Sequence, residues 1–125
     1  MNRDHADQLQ DRFIEFAVRI LKLVDALQRN STGRHIGKQM MRSATSVAAN
    51  YGEVRGAESR EDFIHKLRIV QKELNETSIW LQIVSKSSIV KAEFMRALIA
   101  ENRELGRVIT ASIHTSRNNQ TPHKE

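Results

Sequence analysis

The chain has 125 residues with one proline, no cysteine and a formal net charge of +5. That length makes one domain, able to bury roughly two-thirds of the surface its unfolded chain exposes. The missing thiols exclude a disulfide framework, a thiolate zinc site and a cysteine nucleophile, and the scarcity of glycine and aromatic residues argues against a β-sandwich or barrel.

From Leu9 onward, apolar residues recur at Phe13, Phe16, Ala17, Ile20, Val24 and Leu27. This is the three-and-four spacing of one helical face, and it predicts a first helix over about residues 7–29 with Asp7 and Gln10 at its start. The run Asn30-Ser31-Thr32-Gly33 reads as a break. Beyond it Ile36, Met40, Ala44, Val47, Tyr51 and Val54 form the stripe of a second helix, which ends near Gly56. Ser59 and Asp62 form an N-cap pair for a third helix, whose Phe63, Leu67, Val70, Leu74, Leu81 and Val84 keep a near-heptad spacing. After the short connection Lys86-Ser87-Ser88, a fourth helix carries Phe94, Leu98, Leu105 and Ile109 to about Thr115, with Asn102 beside the seam.

Short loops between helices of similar length favour antiparallel neighbours. The expected fold is therefore all-α, an up-down-up-down four-helix bundle over residues 1–115, with 116–125 a polar, frayed tail. Charges such as Arg19, Lys22 and Asp25 interrupt every apolar run before the ~18 residues a membrane span needs, and the first seven residues hold no apolar signal segment. A cytoplasmic protein without a membrane partner is the expectation.

Chemistry is sparse. No G-x-S-x-G, H-E-x-x-H or phosphate-cradling glycine loop occurs. Asp62 and His65 have half the spacing of a di-iron carboxylate site, but His65 points nearly opposite the seam, so a solvated histidine is the better reading and no metal or cofactor is expected. On the second helix Ser43, Ser46, Asn50 and Glu53 form a polar arc beside the apolar seam. Half-buried polar groups need hydrogen-bond partners, which Glu73, Asn75 and Glu76 of the third helix are placed to supply, so a structural role outweighs catalysis.

The stretch from Gln39 to Glu53, with its R-S-x-x-S-x-x-x-N-x-x-E run at Arg42, Ser43, Ser46, Asn50 and Glu53, is continued by Lys72-Glu73-Leu74-Asn75-Glu76. Together these resemble the four-helix-bundle proteins encoded within bacterial 23S rRNA intervening sequences, also called S23 ribosomal proteins. In that family glycine usually follows the second-helix glutamate, whereas here Val54 follows Glu53 and glycines stand at positions 52 and 56. The resemblance implies a homopentameric barrel of bundles with a basic surface and no enzymatic activity. It also implies kinship with the accessory proteins of diversity-generating retroelements, which bind a reverse transcriptase and nucleic acid.

Two functions follow as expectations. No acidic residue occurs from Ala26 through Gly52, while Arg29, Arg34, His35, Lys38 and Arg42 all fall there, with Arg34, Lys38 and Arg42 spaced by four as one outer stripe. That stripe suits RNA or DNA phosphates. The alternative is a scaffold that docks a protein such as a reverse transcriptase. On the third helix Ile69, Ile79, Trp80 and Ile83 fall away from the heptad core, which marks them as a contact with further copies of the chain.

Overall fold

Each of the four apolar stripes needs another to cover it, and the chain satisfies all four at once. The computed structural model describes residues 3–120, which form helices α1 (Arg3–Ala26), α2 (Ser31–Arg55), α3 (Arg60–Ser87) and α4 (Ala92–Gln120), with a 3-10 turn at Leu27–Arg29 between the first two. The helices run up-down-up-down. α1 packs on α2, α2 on α3 and α3 on α4, and α4 returns to α1, so α1 and α3 are diagonal and their backbones do not come close.

The core holds the stripes of α1, α2 and α3 nearly as the periodicity predicts, and Phe13, Ile20, Met40, Val47, Leu67 and Leu81 are fully enclosed. Phe13 and Tyr51 stack at a tilt across the α1–α2 contact, ring centroids 5.0 Å apart, a geometry that aromatic pairs favour. No helix among the described residues is long and apolar enough to cross a membrane.

Several expected details differ. α1 starts at Arg3, so Asp7 caps nothing and instead pairs with Arg55 across the α1–α2 contact. The break between α1 and α2 is only as wide as Asn30. Its side chain accepts from the Gly33 N–H at 2.8 Å, and Ser31, Thr32 and Gly33 become the first turn of α2. A Cβ at Gly33 would lie 2.6 Å from the Leu27 carbonyl oxygen, so glycine permits this close approach. Ser59 caps α3 as predicted, accepting from the Asp62 N–H at 3.0 Å, and Phe63 behind it is half-buried.

The α4 register is shifted. Met95 is buried while Phe94 is 45% exposed, because both residues sit within reach of a Leu98 stripe and helical spacing alone does not choose between adjacent positions. The helix also continues through residues 116–120, read from sequence as frayed. Residues 121–125 of that expected tail lie outside the described residues.

Candidate nucleic-acid interface

The basic stripe begins where the chain turns from α1 into α2. Arg29 closes the 3-10 turn, and Asn30 points the next residues into the first turn of α2, which contains no acidic side chain. Arg34 donates from Nη1 to the Gln28 carbonyl at 2.8 Å, which holds its guanidinium beside the turn. His35 and Lys38 are exposed. None of Arg29, Arg34, His35 or Lys38 forms an ion pair with a described residue. The positive end of the α2 dipole adds to the same field.

Arg42 is different. It lies one turn farther along the stripe, but its side chain turns toward α3, where it pairs with Glu76 and, at 3.5 Å, with Glu73. The Glu76 bond raises the guanidinium above its ordinary value, and the same bond, with a second from Trp80, holds the Glu76 carboxyl below the usual range. Arg42 is thus a strut between α2 and α3 and not a free cation. The absence of acidic residues from Ala26 through Gly52 in the sequence does not carry over to the surroundings of that stretch in space.

The polar arc divides in the same way. Ser43 is fully buried and hydrogen-bonds Thr77 at 2.8 Å, while Thr77 donates to the Glu73 carbonyl, also at 2.8 Å. Ser46 and Asn50 are half-buried, and Glu53 is exposed. The five motif residues Ser43, Ser46, Asn50, Glu53 and Glu76 therefore do not form one network. Asn75, expected to partner the arc, instead lines a groove of about 840 Å³ between α3 and α4. Thr77 went unnoticed in the sequence although the heptad skips from Leu74 to Leu81, and that gap is its position. The groove, which also gathers Asn102, Arg103, Arg107 and His114, joins residues too distant in sequence for any local pattern to connect.

Of the four residues expected at a subunit contact, Ile79 and Ile83 are 55% and 40% exposed. Ile69 is half-buried, and Trp80 packs partly on the core while donating its indole N–H to Glu76 at 3.2 Å. Trp80 thus belongs to the α2–α3 seam with Arg42. Asp62 accepts the Glu58 N–H and pairs with Lys66 at 3.1 Å, contacts that hold its carboxyl below the ordinary value. His65 is exposed, and no group of three metal-ligating side chains gathers among the described residues.

The model of the 23S rRNA-intervening sequence protein family matches residues 8–111. The chain belongs to that family. The matched span takes in the body of all four helices, including the Arg42–Glu53 run and its partner segment on α3. Among solved structures, this family member is similar to a protein of unknown function from the S23 ribosomal protein family of Bacteroides thetaiotaomicron. The two are 35% identical with a TM-score of 0.79, over 84% of this chain and 97% of that one. Among curated proteins nothing matches.

Proposed function

We propose that this family member is a non-enzymatic helical bundle that associates with further copies of itself, five in the assembly the family resemblance implies, and binds RNA or DNA through the basic end of α2. One observation carries the binding. Arg29, Arg34, His35 and Lys38 are exposed together around the first turns of a helix, and no carboxylate among the described residues pairs with any of them. Phosphates attract such a cluster without base-specific contacts. The exposed Ile79 and Ile83 support self-association, since clustered surface isoleucines are costly to leave in water.

The test is a salt titration of binding to a generic RNA duplex and a single strand. Changing Arg29, Arg34 and Lys38 together to glutamine should flatten the slope of log K against log salt by about 2 to 3 units, at roughly 0.7 to 0.9 per lost phosphate contact. Arg42→Gln should leave the slope in place, because that guanidinium already faces two carboxylates. An unchanged slope in the triple variant with its helices intact would overturn the assignment. Absence of any nucleic-acid binding at low salt would transfer the basic end of α2 to the alternative, a surface that docks a protein.

A further inference from the structure

The groove between α3 and α4 is built from two facing rows. On α4, Arg103, Arg107, Thr110 and His114 fall within about 60° of one line at 100° per residue, and on α3 Gln71, Asn75, Ser78 and Gln82 do the same. Gln71 donates from Nε2 to the Thr110 hydroxyl at 3.1 Å, so the rows meet at that end. With the two helices antiparallel, this contact sets Asn75 opposite Gly106 and Ser78 opposite Arg103. Leu74 and Ile99 line the same space, whose volume of about 840 Å³ is in the range of small-molecule sites.

Two independent features point to an occupant. The first is charge. No carboxylate lines the groove. Arg107 shares its charge with Glu104 at 3.3 Å, but Arg103 forms no ion pair with a described residue, and its near neighbour Glu101 is committed to Arg12. The second is Gly106. It lies inside α4 with no positive φ, so no turn requires glycine there. A Cβ at this position would meet nothing within 4 Å, so no contact within the chain requires it either. Glycine weakens a helix interior relative to alanine. On the helical wheel Gly106 falls between the exposed row of Arg103 and the buried row of Asn102 and Ile109. Its missing side chain therefore deepens the groove one turn from the unpaired guanidinium.

We propose that the α3–α4 groove binds a nucleoside phosphate, either a free nucleotide or one nucleotide of a single strand. The phosphate lies on Arg103, with Ser78 across from it and Arg107 one turn along, and the base lies over Gly106 against Asn75. The planar fork of arginine matches phosphate oxygens. The Asn75 amide offers a donor and an acceptor side by side, the pattern that pairs with the edge of adenine. Leu74 and Ile99 supply apolar surface for the face of the ring. The site lies between helices other than α2 and stands apart from the role proposed for the basic end of that helix.

The test is calorimetric titration of the full chain with AMP, and separately with ribose 5-phosphate and adenosine. For a free nucleotide, AMP should bind with a Kd of about 1 mM or tighter and more tightly than either fragment. Arg103→Gln should weaken it by about 10- to 100-fold, the worth of a hydrogen bond to a charged group. Gly106→Leu changes no charge and fills the space under the base, so it should abolish binding while circular dichroism shows the helices intact. Should leucine disturb the fold, Gly106→Ala should still weaken binding while raising the melting temperature, a combination that a merely structural glycine would not give. For a nucleotide within a strand, the same three variants should instead weaken a short oligoadenylate in fluorescence anisotropy, with AMP alone silent. The proposal is overturned if Gly106→Ala and Gly106→Leu change the affinity of neither probe, or if ribose 5-phosphate binds as tightly as AMP.

Discussion

The buried hydroxyl pair between α2 and α3 makes a demanding test of the packing. Ser43 and Thr77 are both fully enclosed and 2.8 Å apart. Thr77 also donates to the Glu73 carbonyl at 2.8 Å, and Ser43 reaches the Met40 carbonyl at 3.2 Å. Two hydroxyl protons are shared among three acceptors, so each residue retains a backbone partner when the other is removed. Ser43→Ala and Thr77→Val should therefore each cost only the net value of one hydrogen bond, about 1 kcal/mol, and not the larger penalty of an orphaned buried group. The double variant should cost less than the sum, with a coupling of roughly 0.5 to 1.5 kcal/mol, because one interaction is lost only once. A loss of about 1 kcal/mol moves the melting temperature of a chain this size by roughly 3 to 6 °C. Urea unfolding followed by circular dichroism, at one fixed protein concentration, measures all four corners of the cycle. Strict additivity would refute the direct bond. A single variant losing more than about 3 kcal/mol would refute the claim that each hydroxyl has a second partner.

Two further outcomes are expected. Gly106→Ala should stabilise the bundle by about 0.8 to 1 kcal/mol, since a Cβ there meets nothing within 4 Å and alanine is the better helix former; a lower melting temperature would show that the α3–α4 groove is tighter than this geometry. The Arg42 and Trp80 bonds hold Glu76 below its ordinary value of 4.5, so its contribution is fully present above pH 4.5 and is lost as pH falls through the lower folded value. The difference in urea midpoint between the unaltered protein and Glu76→Gln should be constant from pH 5 to 7 and shrink below about 4.5; a difference independent of pH would remove the carboxylate from the account.

The fold was legible in the sequence because burial and helical period are both local patterns. Every stripe residue named on α1 and α2, from Leu9 to Val54, is buried, and Ser59 caps α3 where the sequence puts its start. The misplaced details have local causes of the same kind. Phe94 and Met95 are adjacent and both apolar, so only the packing of α4 against its neighbours selects Met95 for the core.

The basic stripe shows where reading along one helix stops. The sequence by itself determined that α2 carries Arg34, Lys38 and Arg42 at intervals of four, with no acidic residue on the helix before Glu53, since side-chain charge and a period of 3.6 residues are properties of the segment. Whether each cation is free depends on what α3 brings across the contact, and sequence distance is silent on that. Glu73 and Glu76 are more than thirty residues from Arg42 in the chain yet within ion-pair reach of it. The tertiary structure alone therefore decided that Arg42 is a strut and that Arg29, Arg34, His35 and Lys38 remain open to an anion. The physical reason is the short range of these interactions: a charge is neutralised by what lies within a few ångströms of it, and only folding sets that distance.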